Sequence, residues 1–290
     1  MSERSPVEAI AAALDVEVVS AAALGGGDTG PAWRVALADG DVVLAKERPP
    51  GAPAQLLTAE AVGLRWLAAA TEDGGPHVPE VRHVDPDLLV MGWIEHGAAG
   101  DDADLGRAVA ALHRTGAPAF ATPPGTSDGC VGPLPLPGGP WPDGVTLWVE
   151  GLVLPFLRAA VDRGAIEPGG AAVVEAVGTR AGELLGPPEP PARVHGDLWV
   201  GNVLAGTDGR WWVVDAGAAH GGWREADLAM LALFGGLPTA CLAAYDEAHP
   251  LADGWEERVA LHQIHPLLVH AALFGGGYGR RAVTVARSYR

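Results

Sequence analysis

Apolar residues recur with two different periods along this chain, and the period changes near residue 95. Before that point short runs dominate. Residues 16–23, 33–38, 42–46, 81–84 and 88–94 are apolar or alternating stretches, which predict strands. Asp39-Gly40-Asp41 predicts a hairpin turn between the second and third of them. Two helical patterns interrupt the strands. Residues 6–15 carry Ser5 as N-cap and Pro6 at the first position. Residues 58–70 place Leu57, Ala61, Leu64, Leu67 and Ala68 on one face, with Glu60 in the first turn. After residue 95 the helical period takes over. It predicts helices at 105–114, 145–162, 168–185, 224–234, 238–248 and 254–274, the last interrupted by Pro266. Residues 193–215 read as strand, loop and hairpin, with the turn at 207–210. Residues 116–144 are rich in Pro and Gly with little period, and so long a loop in a compact domain is usually functional or mobile. The predicted architecture is α+β in two lobes: a small β-rich lobe at 1–95 and a larger, mainly helical lobe at 96–290.

Composition narrows the function. With 48% hydrophobic and 19% charged residues the chain has ample material for a core and is not disordered. Nineteen basic against 36 acidic residues, a net charge of −17, leave no basic stripe, so nucleic-acid binding is not expected. No run of about 18 apolar residues and no basic start followed by an apolar segment is read, so neither a membrane span nor a signal peptide is expected. The expected location is the cytoplasm. Cys130 and Cys241 make no disulfide framework and no C-x-x-C pair. Eighteen of the basic residues are Arg and one, Lys46, is Lys. A lone Lys in a chain that otherwise uses Arg marks a place for a compact ammonium on a flexible stem.

The candidate chemistry lies around three segments. Val194-His195-Gly196-Asp197-Leu198-Trp199-Val200-Gly201-Asn202 contains the D-x-x-x-x-N spacing of a phosphotransferase catalytic loop. Asp197 is the candidate base for an acceptor hydroxyl, and Asn202 is a candidate metal ligand. Asp215 ends the apolar run 211–214 and is the second candidate ligand, suited to Mg²⁺, which prefers oxygen donors and substrate phosphates. Upstream, Gly25-Gly26-Gly27-Asp28-Thr29-Gly30 is a Gly-rich turn whose backbone N–H groups would meet phosphate oxygens. Lys46 would neutralise phosphate charge, and Glu60 would pair with Lys46 and aim it. Met91, Trp93 and Ile94, where the lobes join, are expected at the adenine. Each element alone is weak, since a Gly-rich run is more often a plain turn and a Lys–Glu pair more often lies on the surface. In this order they point to an ATP- and Mg²⁺-dependent kinase of the protein-kinase-like fold.

These segments resemble the fructosamine kinase (ketosamine 3-kinase) family, relatives of aminoglycoside and choline kinases. The resemblance covers nearly the whole chain. It rests on His195-Gly196-Asp197-Leu198-Trp199, Gly201-Asn202-Val203, the run from His220 to Met230, Leu233-Phe234-Gly235, Ala244-Tyr245, Val131-Gly132-Pro133-Leu134-Pro135, and Pro266 to His270 with Leu273-Phe274-Gly275. It implies a ketosamine substrate, free or protein-bound, phosphorylated on a sugar hydroxyl, with deglycation as the outcome. The chain departs from the family pattern at Gly92, Cys130, Ala216 and Trp223. Cys130 and Trp223 are expected near the acceptor pocket.

Other residues have simpler readings. Trp199 beside Asp197 is read as a substrate contact, with a core position as the competing reading among 10 Trp. His195 and Asp227 are expected to hold the catalytic-loop backbone. His262, His265 and His270 share helical spacing, but no Cys or carboxylate completes a tetrahedral zinc set. The rival functions are a kinase for another hydroxylated amine such as an aminoglycoside, a plain sugar kinase, a nucleotide-binding pseudokinase and, more distantly, a zinc hydrolase.

Overall fold

A computed structural model of the chain describes residues 6–25, 30–97, 100–235 and 237–290. Ser5 and the turn residues Gly26, Gly27, Asp28 and Thr29 lie outside the described residues.

The N-terminal region is one antiparallel sheet between two helices. Its strands are β1 (Val18–Leu24), β2 (Ala32–Leu37), β3 (Val42–Glu47), β4 (Val81–Val84) and β5 (Leu88–Gly92), in the order β1-β2-β3-β5-β4. Side chains alternate across a strand, so each face of β3 has its own task. Val43 and Ala45 join Val35, Leu37, Leu88 and Val90 around Ile10 of helix α1 (Pro6–Leu14). Leu44 packs toward the opposite face, with Leu57, Leu64 and Leu67 of α2 (Leu56–Ala68). Lys46 is in step with Leu44 and therefore faces α2.

The remaining chain is mainly helical. Helix α3 (Asp102–Arg114) is capped by the Asp101 carboxylate, which accepts from the Ala103 N–H at 2.8 Å. The α2 core continues across the change of period: Leu89 and Met91 share it with Leu105, Val109, Leu198, Val213 and Ala216. A second core gathers Trp148, Phe156, Val174, Leu261, Leu267, Leu268 and Ala286 from the other helices.

Four local outcomes differ from or refine the sequence pattern. The break predicted at Pro266 falls at Gln263, and Pro266 is third in the helix Ile264–Phe274. Its missing N–H costs nothing there, because first-turn donors have no helical acceptor. An unforeseen helix, Tyr278–Arg287, follows the glycines at 275–277. Within 116–144, two three-residue strands, β6 (Gly129–Val131) and β7 (Leu134–Leu136), form a hairpin. The helical run Gly144–Asp162 has 19 residues and a mean hydropathy of 1.5, which is long and apolar enough to cross a bilayer by length and composition. Its residues Leu147, Trp148, Leu152, Val153, Phe156 and Leu157 are buried in the second core.

Candidate active site

Lys46 reaches the site because β3 runs antiparallel beside β5 and aims it at α2. Its Nζ donates to Glu60 Oε1 at 2.7 Å and also to Asp215 Oδ1. Glu60 lies one turn before Gly63, on the same side of α2. A Cβ at Gly63 would stand 1.9 Å from the Ala216 carbonyl oxygen, so only glycine lets α2 rest on the backbone beside Asp215. That close approach brings Glu60, Lys46 and Asp215 together.

The three charges tune one another. Burial works against the Lys46 ammonium, but Glu60 and Asp215 outweigh it and hold its pKa above the ordinary value. Burial pushes Glu60 up, to about 7, against the pull of Lys46. Asp215 ends lower than usual, because Lys46 overcomes the cost of burial. Asp215 has left-handed backbone angles (φ 60°, ψ 48°), uncommon for any residue but glycine and often found where function imposes strain. Its side chain is 34% exposed, whereas Lys46 and Glu60 are at 12% and 8%. Asp215 is therefore the member that opens onto solvent.

The catalytic-loop segment follows β8 (Ala192–Val194), which pairs with β9 (His220–Gly222). Gly196 makes the bend with φ 81°, and a Cβ there would meet the Ala218 carbonyl oxygen at 2.2 Å. Asp227 holds the loop from behind, accepting from the N–H groups of His195 (2.7 Å) and Gly196 (2.9 Å). His113 of α3 contacts Asp227 at 3.2 Å and the Tyr245 hydroxyl at 2.8 Å, which extends the brace to the helix Thr239–Ala248. Burial opposes the Asp227 charge, yet these donors keep its pKa below normal. His195 Nε2 donates to the Val214 carbonyl at 2.9 Å and its Nδ1 accepts from the Asp197 N–H at 3.3 Å. One tautomer, with the proton on Nε2, satisfies both bonds. His195 thus ties the segment to the strand that leads into Asp215.

Asn202 Nδ2 donates to the Asp197 carbonyl at 3.0 Å and to its Oδ2 at 3.3 Å. Both partners are acceptors, so the amide nitrogen must face Asp197 and the amide oxygen is turned away from it. Burial raises the Asp197 pKa, with nearby His195 and His270 opposing the rise. A raised carboxylate is the more basic one, as a proton acceptor requires.

These groups border a cavity of about 340 Å³ lined by Glu60, Asp197, Asn202 and Asp215 on one side, with the exposed Trp199 at its rim. The other side is Cys130, Val131 and Gly132 from the β6–β7 hairpin, and Pro266, Val269, His270, Leu273 and Phe274 from one helix. Trp199 is exposed and meets Phe234 edge-on at 6.4 Å between ring centroids. The wall at 266–274 follows i, i+3, i+4 spacing, the signal in the sequence that would have marked it as one face. Burial pushes the Cys130 thiol up to about 11, so it lines the wall as a neutral group.

Several expected residues do not line this cavity. Trp223 does not line the cavity. It is buried, and its indole donates to the Gly144 carbonyl at 2.8 Å, making it a packing anchor. The Met91 side chain is buried in the core shared with α2. The Trp93 N–H already donates to Val42 across the sheet at 3.1 Å, and its ring lies under Arg34 at 5.2 Å. Ile94 follows, its carbonyl bonded to His96 at 3.0 Å. Gly25 lies just after β1 and Gly30 just before β2. No metal-binding cluster of His, Cys, Asp and Glu occurs among the described residues. His265 Nδ1 donates to Leu152 and His270 Nδ1 to Pro266, which leaves the histidines packing and lining rather than converging.

The arrangement was compared with known proteins. An aminoglycoside phosphotransferase solved with ADP and hygromycin B aligns over 98% of this chain and 99% of its own, with a TM-score of 0.59. At 16% identity it shows the fold alone: the chain has the protein-kinase-like phosphotransferase fold. A Thermus thermophilus protein named a probable ketoamine kinase is 36% identical over 260 residues, 88% of each chain. A Thermobifida fusca crystal structure provisionally named a fructosamine-3-kinase is 43% identical, covers 98% of both chains and superposes with a TM-score of 0.88. The fructosamine kinase family model matches residues 5–289, taking in the Lys46, catalytic-loop and Asp215 segments together, and the chain belongs to that family.

Proposed function

We propose that the protein transfers the γ-phosphoryl group of ATP to a sugar hydroxyl of a ketosamine, the first step of deglycation. One observation carries the reading. In a member of this family, Asp197, Asn202, Asp215 and Glu60 line one side of a single cavity large enough for a sugar adduct, with Lys46 bonded to Glu60 and Asp215 beside it.

Residues 1–95 act as the nucleotide lobe and 96–290 as the acceptor lobe. Lys46 neutralises phosphate oxygens, and Glu60 keeps it aimed. Met91, Trp93 and Ile94 border the adenine. Asp215 and the outward amide oxygen of Asn202 would hold Mg²⁺, an all-oxygen donor set that suits the ion. Bound there, Mg²⁺ supplies charge neutralisation for the phosphates. The ion pair between the Lys46 ammonium and Asp215 supports a cation at this carboxylate. Asp197 accepts the proton of the attacking hydroxyl through the oxygen that Asn202 leaves free. Trp199 gives the sugar a flat apolar face. Transfer is direct and in line, with catalysis by positioning and electrostatics.

The test is Mg²⁺-dependent ADP release with fructosamine, ribulosamine, aminoglycoside and free-sugar acceptors, using Asp197→Asn as the blank. Turnover confined to ketosamines is expected. Turnover on another acceptor alone would move the protein to a sister activity. ATP binding without turnover on any acceptor would favour a pseudokinase.

A further inference from the structure

Behind the catalytic-loop segment lies a second, smaller cavity of about 20 Å³. Its walls come from four parts of the fold: Trp148 and Leu152, Gly196, His220 with Ala226 and Met230, and His262 with His265 and Pro266. Gly196, Met230, His265 and Pro266 also line the large cavity, so the two cavities adjoin.

Three polar atoms on this one wall are buried without a protein hydrogen-bond partner among the described residues: Trp148 Nε1, His220 Nε2 and His262 Nε2. Their residues are 1%, 5% and 3% exposed. Such groups are rare in native interiors, because each unmade bond costs about 1–3 kcal/mol. Three of them around one small space have a common cause. The volume exceeds the roughly 10–15 Å³ that one water needs, and a buried water typically has two to four polar partners.

The donor and acceptor roles are set by chemistry. His220 Nδ1 donates to the Ala218 carbonyl at 2.8 Å, so its proton is on Nδ1 and Nε2 offers a lone pair. Burial lowers the His220 pKa and keeps the ring neutral. The Trp148 indole can only donate. His262 Nε2 stands 3.6 Å from Glu225 Oε2, beyond hydrogen-bond reach, and is a third partner.

We propose that this cavity is a binding site for one ordered water, which accepts from the Trp148 indole N–H and donates to His220 Nε2. The water joins the π-wound middle of the helical run Gly144–Asp162, residues Leu147–Val153, to the strand beneath Gly196. It therefore supports the loop that carries Asp197 at Gly196, beside the helix that carries Asp227. An apolar cavity of this size would stay dry, whereas these walls would leave a donor and an acceptor unpaired.

The test uses the full chain in two ways. A crystal structure at a resolution that places waters should show one peak within hydrogen-bond distance of both Trp148 Nε1 and His220 Nε2. In solution, the Trp148 indole proton should show a cross-relaxation peak to a long-lived water. An empty cavity, or a Trp148 or His220 ring turned onto a protein partner, would overturn the proposal. Trp148→Phe keeps a ring but removes the donor. In that variant the ordered peak should be lost, and a peak of unchanged occupancy would sink the assignment. If Trp148→Phe does not fold, the two wild-type measurements still decide.

Discussion

The two walls of the large cavity are built on different physics. The wall on the sheet side is made of charge: Lys46 lies between Glu60 and Asp215, all partly or fully withdrawn from water. The wall on the helical side is made of shape: Val131, Val269, Leu273 and Phe274, with Trp199 at the rim. A buried charge set fails when one member changes, because the partner left behind is unpaired in a low dielectric. An apolar wall loses only the contacts removed. Phosphate handling is therefore expected to tolerate little change and acceptor range to tolerate much more.

The sharpest way to break this contrast is Asp197→Asn, which keeps shape and removes the base. Turnover should fall roughly 10²–10⁴-fold while ATP binding persists, as measured by steady-state rates and calorimetry. Retained turnover would remove Asp197 as the base.

One buried histidine makes the helical wall sensitive to acid. His265 lies beneath it, 9% exposed and edge-on to Phe156 at 4.9 Å, and burial lowers its pKa from 6.5 to about 4. Above pH 6.5 both folded and unfolded chains keep it neutral. As pH falls from 6.5 toward 4, the unfolded chain binds a proton that the folded one refuses, so stability falls across that window. The loss from this group reaches about 3 kcal/mol. Denaturant unfolding at pH 7 and 4.5 should show a shallower pH dependence in His265→Gln. An unchanged dependence would contradict the assignment.

Lys46→Arg separates charge from geometry on the sheet side. Charge is retained, but a planar fork does not fit between Glu60 and Asp215 as a point ammonium does. Misplacement of about 1 Å can cost roughly 10²-fold, so kcat should drop by that order; a near-normal rate would undo the argument. Gly63→Ala tests the contact that joins α2 to the Asp215 segment. Its added methyl would press on backbone, costing about 1–3 kcal/mol in a melting or denaturant measurement. Trp199→Ala, on the shape side, should have the smallest effect. The acceptor KM should rise about 10-fold with the ATP KM little changed, since an exposed ring contact is worth about 1 kcal/mol. A larger rise in the ATP KM would move Trp199 out of the sugar site.

The sequence by itself determined the elements and much of the chemistry. Strand alternation and helical spacing are local properties, so β2, β3, β4, α2 and most later helices were legible to within a few residues. The helix Tyr278–Arg287 was missed because the three glycines at 275–277 obscure its start and its buried face has only small or β-branched residues: Gly279, Ala282, Val283 and Ala286. Lys46, Glu60, Asp197, Asn202 and Asp215 could be singled out by spacing and residue type, and the structure brings them together. Only the tertiary structure decided what lies opposite them. The hairpin at 129–136 and the face from Pro266 to Phe274 reach the cavity by long-range packing; helical spacing marks 266–274 as a face but not what that face meets. It also decided between Cys130, which lines the cavity, and Trp223, which does not. Both looked eligible in one dimension, and the difference is the Gly144 carbonyl that anchors the Trp223 indole 79 residues away in the chain.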